Sequence, residues 1–421
     1  MTKNIAKYYD VVIIGAGMAG LSMVHLLSKS IENGLKLALI ERFELPSLSS
    51  DSDQLPSFDG RATALSFGTQ QIFKQLGIWP NISSEACAIN NIQVSDRGRF
   101  GQTHIKHTDA NVEALGYIIR NRALGQGLMA NLPSSIDILA PESVEKIEIS
   151  VKQKAHLTLA SGNRISADLV VMADGGRSDL AQQMGIRQTK ESYQTHALVT
   201  SVRMDRSHNH WAYERFAEHG PIALLPLADD EFAVVWTLAD DVIAEYLVAD
   251  DSTLISRLQQ AFGYRAGRIT AMGERDSYPL ALVKAQEQIR PNLVLLGNAA
   301  HSLHPVAGQG FNLTLRDSAA LAQHINNAFK KGTALGAWSV VQAYYHQQQS
   351  DQKATVLGSD VLPKLFSQKN LAMRLSRDAG LIALALSPTS RNLFARQAMG
   401  LGQHAAEIEY PHQSVEQQGA V

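Results

Sequence analysis

The chain has 421 residues, 45% of them hydrophobic and 19% charged, with a net charge of -2, which describes a folded globular protein of two or three domains and excludes a disordered one. The near-neutral balance, without a basic stripe interleaved with aromatics, excludes a nucleic-acid partner. A single cysteine, Cys87, excludes an internal disulfide and any paired-cysteine redox or zinc motif. It suits a reducing compartment and reads as a small buried apolar residue.

The first ten residues are polar and lead into a strand rather than a signal peptide. The most hydrophobic window, 381–386, is far shorter than the roughly 20 apolar residues of a bilayer span. The expected location is cytoplasmic, or peripheral on the inner face of the membrane.

Residues 10–14 (DVVII) read as a buried strand, followed at once by Gly15-Ala16-Gly17-Met18-Ala19-Gly20 and a helical run to about Ser30. A second strand at 36–40 ends on Glu41. GxGxxG therefore has the context it requires: strand before, helix after, and an acid 21 residues beyond Gly20. The glycines permit a tight turn and the approach of a pyrophosphate to a helix N-terminus, and Glu41 can accept hydrogen bonds from adenosine ribose hydroxyls.

Residues 46–57 are rich in Ser, Asp and Pro and read as a surface loop. The stretch 58–65 (FDGRATAL) is expected to enter a helix running to about Leu76, with Arg61 at its start in reach of a phosphate. Alternation suggests strands between 89 and 105 and at 115–119, and 120–132 reads as helical. Short strands follow at 144–149, 156–159 and 164–165. The apolar strand 168–173 ends on Asp174-Gly175-Gly176-Arg177-Ser178 and a short helix to about Met184. Asp174, at a strand end beside a phosphate-binding turn, is a second ligand candidate; a plain tight turn is the other reading.

From 196 to 236 the pattern changes to alternating β at 197–203, 211–216, 222–226 and 232–238, so a second domain is expected to begin near 187. Residues 241–262 read as helical, and 267–282 return as a strand through Tyr278-Pro279-Leu280. The chain re-enters the first domain at about 290. Residues 293–296 form a buried strand that turns at Gly297, and a loop with Pro305, Gly308 and Gly310 leads into a helix from about Asn312 to Phe329. Gly308 and Gly310 free backbone N–H groups to approach a flat or anionic ligand, with the helix N-terminus behind them. Residues 333–401 are mostly helical, and the Gln/His/Glu-rich tail after His404 reads as disordered.

Three anchors in order, GAGMAG with Glu41, Asp174-Gly175, and Gly297 through Gly310, resemble the flavoprotein aromatic hydroxylases of the p-hydroxybenzoate hydroxylase class. The run His304-Pro305-Val306-Ala307-Gly308-Gln309-Gly310-Phe311-Asn312-Leu313, closing on Arg316-Asp317, is similar to the signature of the ubiquinone-biosynthesis monooxygenases. FDGRATAL at 58–65, RFAEHGPIALLPL at 215–227, AFGYRAGRI at 261–269 and SYPLAL at 277–282 resemble the 2-polyprenyl-6-methoxyphenol hydroxylase branch. The resemblance covers nearly all of 10–402.

It implies an α/β fold in which a Rossmann-like FAD-binding domain (1–80, 111–186 and 290–332) is interleaved with a β-sheet substrate domain (81–110 and 187–289). A C-terminal helical region (333–402) and a tail (403–421) follow. It implies FAD held by Gly15, Gly17, Gly20, Glu41, Arg61, Asp174, Gly297, Asn298, Pro305, Gly308, Gly310, Phe311 and Asn312, with no metal. NADH or NADPH would reduce the flavin, and O2 and a polyprenyl phenol would be the other substrates. Two departures stand out: Asn298 where the family usually has Asp, and Thr314 where its signature prefers Gly. Asparagine keeps the acceptor oxygen and loses the charge.

A phenol reacts best as phenolate, so a base or acceptor is expected near the ring. Tyr193, His196, Tyr213 and Tyr278 stand on the second sheet, and His301 and His304 flank the flavin loop. His304, Tyr213 and Tyr278 lead this group, residues of a kind that more often pack than catalyse, and the sequence establishes no base. The helices at 362–401 mix apolar residues with Lys364, Lys369, Arg374, Arg377, Arg391 and Arg396. They read as solvated covers of the core, or as a basic amphipathic surface for a membrane or a ubiquinone-biosynthesis complex. The competing functions are a sister ubiquinone-pathway or soluble phenol hydroxylase, and a non-catalytic flavin-binding scaffold subunit.

Overall fold

The computed structural model describes residues 7–45, 61–97, 102–149, 154–218, 220–303, 308–367, 396 and 399–401. The expected surface loop at 46–57, the start of FDGRATAL, the 381–386 window, every basic residue named beyond 367 except Arg396, and the tail lie outside the described residues, as do His304 and Pro305.

The strand that feeds the glycine turn, Lys7–Ile14, is central to an eight-stranded sheet. Its order is Ile289–Arg290, Leu293–Leu295, Arg164–Met172, Lys7–Ile14, Leu37–Ile40, Asp137–Leu139. From Leu293–Leu295 to Asp137–Leu139 the neighbours run parallel. An antiparallel ribbon, Val144–Ile149 with Ala155–Leu159, attaches to Arg164–Met172. Parallel strands are covered on both faces, which is why they read as unbroken apolar runs. Val11, Ile13, Leu37 and Leu39 pack beneath the helices Met18–Leu26 and Gln309–Lys330. Val12, Ile14, Ala38 and Ile40 pack on the other side against the ribbon and the helix Leu180–Gln183. Each such Leu or Ile contributes about 1.5–3 kcal/mol by leaving water.

A nine-stranded sheet carries the alternating segments. Its order is His301–Ser302, Asp276–Ala285, Gln188–Met204, Glu231–Ala239, Gly220–Pro226, Trp211–Ala217, Asn91–Asp96, Gln102–Lys106, with Ile269–Met272 beside Gln188–Met204. Leu198, Val202, Ile222, Leu224, Val234 and Trp236 bury one face under the helices Ile243–Val248 and Asp251–Phe262. The opposite face turns toward the parallel sheet.

One expectation fails between the two. Instead of a helix from 58 to 76, Ala62–Ser66 is a strand of a three-stranded sheet with Gly116–Arg120 and Cys87–Ile89, and the helix begins only at Phe67. Pairing with Gly116–Arg120 overrides the helical preference of the alanines. Ser66 then starts the helix as its N-cap, accepting from the Thr69 N–H at 3.2 Å. The expected helix at 241–262 is two, and 333–401 is described as the helix Trp338–Ser367. Among the described residues no helix is long and apolar enough to cross a membrane.

Candidate active site

The carboxyl ends of Lys7–Ile14, Leu37–Ile40 and Arg164–Met172, the turn after Leu293–Leu295 and the start of the helix Gln309–Lys330 converge on a cavity of about 1060 Å³. In an open parallel sheet, ligands bind beyond the carboxyl ends of the strands, where helix N-termini point. Gly15, Gly17, Glu41, Arg61, Asp174, Gly297, Asn298, Gly310 and Phe311 all border this cavity, as does Tyr278.

At one end the backbone is drawn tight. Gly15 has φ +101°, and a Cβ there would stand 2.6 Å from the Ala173 carbonyl oxygen. Gly20 is not on the cavity wall; a Cβ there would stand 1.9 Å from the Gly15 carbonyl oxygen. Its task is to let the helix pack on the turn rather than to touch a ligand. Gly17 is the N-cap of Met18–Leu26 and offers no side-chain acceptor to the first N–H groups, which leaves them for an anion. Glu41 is buried, and its carboxylate accepts from the Ala16 N–H at 2.7 Å and the Phe43 N–H at 3.1 Å. Each oxygen retains a lone pair, so the acid braces the turn and can still accept from a ribose.

In the middle, Asp174 accepts from the N–H of Gly176 at 3.0 Å, from the N–H of Ser178 at 3.2 Å and from the Ser178 hydroxyl. Gly175 and Gly176 both take left-handed φ, +74° and +70°. The carboxylate thus holds its own turn and sets Arg177 at the cavity. Arg177 is a residue that sequence reasoning passed over, although it stands in the same Asp-Gly-Gly-Arg-Ser run. Arg42, Arg61 and Arg177 all border the cavity and are cations of the kind a pyrophosphate needs.

At the far end, Gly297 takes φ +64° and opens a short 3-10 turn that exposes Asn298. Gly308, left-handed at φ +59°, is the N-cap of Gln309–Lys330, and a Cβ there would meet Ala64 Cβ at 2.8 Å. Gly310 is the contrary case. It borders the cavity, and a Cβ added to it meets nothing within 4 Å. Among the described residues no atom demands glycine there, and the space it leaves opens into the cavity. Thr314 borders the same space with its hydroxyl donated to the Gly310 carbonyl at 3.0 Å.

Asn312, expected to contact the cofactor, is used otherwise. Its Oδ1 accepts from the Ser66 N–H at 2.8 Å and the Thr69 hydroxyl at 2.7 Å. Its Nδ2 donates to the carbonyls of Ala64 and Gly308 at 2.9 and 2.7 Å. The whole amide is satisfied within the protein; Asn312 anchors the loop instead of lining the cavity.

Of the expected bases, Tyr278 borders the cavity, its ring 4.6 Å from the Arg61 guanidinium. Tyr213 does not: it packs among Trp211, Phe232 and Phe262 on the opposite face of the nine-stranded sheet. Strand alternation decides this, and the sequence alone does not say which face is which. His196 pairs with Asp240 at 2.9 Å, and Tyr193 donates to Asp360 at 2.7 Å. His301, fully buried, lies 2.8 Å from Asp317, whose carboxyl burial pushes upward.

Donors at a helix start, an acid closing the second strand, arginines along the middle and a helical glycine before open space together fit an extended dinucleotide carrying a flat ring. That arrangement defines a flavoprotein. The chain belongs to the FAD-binding domain family, which matches residues 8–347. It is 31% identical over 402 residues to the ubiquinone hydroxylase UbiL of Rhodospirillum rubrum, covering 95% of this chain and 91% of that protein. It is 27% identical to the 3-demethoxyubiquinol 3-hydroxylase of Escherichia coli K12, covering 93% and 98%. The solved p-nitrophenol 4-monooxygenase PnpA of Pseudomonas putida DLL-E4 shares the fold, with a TM-score of 0.75 at 17% identity over 94% and 99%. The protein is an FAD-dependent aromatic-ring monooxygenase that uses NADH or NADPH.

Proposed function

We propose that this monooxygenase hydroxylates the ring of a polyprenylated methoxyphenol in ubiquinone biosynthesis, with O2 and NADH or NADPH as co-substrates. The observation that carries the reading is the cavity wall contributed by the nine-stranded sheet. Ala197, Val199, Val235, Pro279, Leu280 and Ala281 form it beside Tyr278, an apolar surface bordered by Arg61, whose guanidinium is stacked on the Tyr278 ring. A wall of this kind favours a neutral apolar phenol over a benzoate. The relatives named as a ubiquinone hydroxylase and a 3-demethoxyubiquinol 3-hydroxylase support the same substrate class.

Bound FAD supplies the redox chemistry and the activation of O2. The chain's own residues do the rest. The N–H groups after Gly17 and the three arginines would hold the pyrophosphate, and Glu41 would hold the adenosine ribose. The positive end of the helix Gln309–Lys330 borders the cavity and would favour negative charge on a ring bound there. Leu296 and Leu303 help the sheet wall exclude water. Leu357 and Val361, exposed one turn apart on Trp338–Ser367, support docking at a membrane surface or a biosynthetic complex, where a polyprenyl substrate is held.

The test is direct. The purified, FAD-loaded protein should oxidise NADH or NADPH faster when given a short-chain prenylated methoxyphenol, and mass spectrometry should find that phenol gaining one oxygen atom. Turnover with carboxylated phenols alone would move the assignment to a soluble sister hydroxylase. Indifference to every phenol tried would leave a scaffold subunit.

A further inference from the structure

Away from the cavity, Cys87, His208 and His210 bring one sulfur and two ring nitrogens within 4.8 Å of one another. None of the three borders the cavity, and the cofactor makes no use of them. Two parts of the fold meet here. Cys87 opens the strand Cys87–Ile89 of the three-stranded sheet, opposite Ile118. His208 and His210 sit in the turn that joins Gln188–Met204 to Trp211–Ala217 in the nine-stranded sheet. The His210 carbonyl accepts from the N–H groups of Asn90 and Asn91 at 3.0 and 3.2 Å, which lays the turn against the end of the cysteine strand. A search for paired cysteines misses this arrangement, because the only cysteine and the His-Asn-His run lie far apart in the chain.

The turn presents both rings to one sulfur. Asn209 and His210 take left-handed φ, +48° and +60°, a conformation uncommon outside glycine. The chain curls so that His208 Nε2 and His210 Nδ1 each lie 3.8 Å from Cys87 Sγ. A zinc ion held tetrahedrally by one thiolate and two imidazoles sets these separations at about 3.5 Å, so the side chains need to close by only about 0.3 Å. His208 is buried with its ring edge-on to Phe232, centroids 5.5 Å apart, so one of the three is already fixed in place. Asp229, whose carbonyl accepts from the His208 N–H at 3.0 Å, sets a negative charge that acts on both the thiol and His208. Sulfur and imidazole donors suit a borderline-soft cation rather than magnesium or calcium, which take oxygen.

We propose that Cys87, His208 and His210 bind a zinc-like divalent cation that staples the three-stranded sheet to the nine-stranded sheet, with water in the fourth position. The site is independent of the hydroxylase reading and of the substrate. Without an ion, the His210 N–H donates to His208 Nδ1 at 3.0 Å, and His210 Nδ1 donates to the Ala88 carbonyl at 3.1 Å. On binding, each neutral ring moves its proton to the nitrogen turned away from the ion, and both of these hydrogen bonds are given up. The thiol S–H bond breaks, its electron pair goes to the ion, and one proton leaves to solvent. No electron changes hands. Losing two hydrogen bonds and lacking a fourth protein ligand makes the site weaker than a closed structural zinc site, and its occupancy reversible.

The experiment titrates Co2+ into the full-length FAD-loaded protein and into its His210→Ala and Cys87→Ser variants, each read as a difference spectrum against the same protein without metal. In the parent, about one equivalent should produce a thiolate-to-cobalt charge-transfer band and the visible bands of a four-coordinate ion. Zn2+ should abolish both by displacement, since it binds such donors more tightly. Because the chain has a single cysteine, a thiolate band reports this site alone, and ions held by other histidines do not give it. His210 is exposed, so its replacement should leave FAD content and the far-ultraviolet dichroism unchanged. Cobalt affinity should nevertheless fall at least about 100-fold, the upper end of what losing a merely supporting partner costs. Cys87→Ser should lose the charge-transfer band altogether. Zn2+ should raise the thermal midpoint of the parent by a few degrees and leave that of both variants where it was. A parent with no thiolate band, or a His210→Ala variant that keeps it at parental affinity, overturns the proposal. A band without any rise in the midpoint overturns the staple.

Discussion

The two ends of the cavity encode the same ligand in different ways. At the glycine turn the protein constrains itself: a side chain at Gly15 or Gly20 would collide with backbone carbonyls, whether or not anything is bound. At Gly310 no described atom stands in the way of a side chain, and the residue opens onto the cavity. A glycine can thus be required by packing or by a guest, and the two kinds should respond differently to substitution.

The sharpest way to break this contrast is Gly20→Ala. With its Cβ 1.9 Å from the Gly15 carbonyl oxygen, the helix must back away from the turn, at a cost of about 3 kcal/mol. A lowered denaturation midpoint should appear in the apoprotein as well as with FAD. Gly310→Val should do the reverse: apoprotein stability within about 1 kcal/mol of the parent, but FAD affinity down about 100-fold, as a β-branched side chain fills the cradle. Equal losses of apoprotein stability in both variants would erase the distinction. Glu41→Gln should weaken FAD binding about tenfold, because one of its two backbone N–H partners loses a charged acceptor; flavin titration followed by fluorescence reads it. Smallest of all, Tyr213→Phe should leave kcat within about twofold of the parent, since the hydroxyl lies across the sheet from the cavity. A tenfold drop there would mean the strand's faces have been assigned the wrong way round.

The parallel sheet was legible because its strands are continuous apolar runs joined to glycine turns, and motifs fix both position and register. Gly15, Glu41, Asp174 and Gly310 could be picked out at that level, although Asp174 and Glu41 each do a second job, tying N–H groups of their own turns. The strand Ala62–Ser66 was hidden because its partner, Gly116–Arg120, lies some fifty residues away and only pairing makes it β. The substrate wall was the least legible part. Its strands are visible as alternation, but which face meets the cavity depends on what packs on the other, and only the packed sheet puts Tyr213 on the face away from it. Arg177 needed only closer attention to a run already singled out.

Asn312 gives the site a further property. By bonding simultaneously to Ser66, Thr69, Ala64 and Gly308, it welds the start of one long helix to the edge of a small sheet and the cap of another helix. The start of the helix Gln309–Lys330 is accordingly held in place by the protein's own bonds. The entropy of ordering this part of the chain is settled during folding rather than at association.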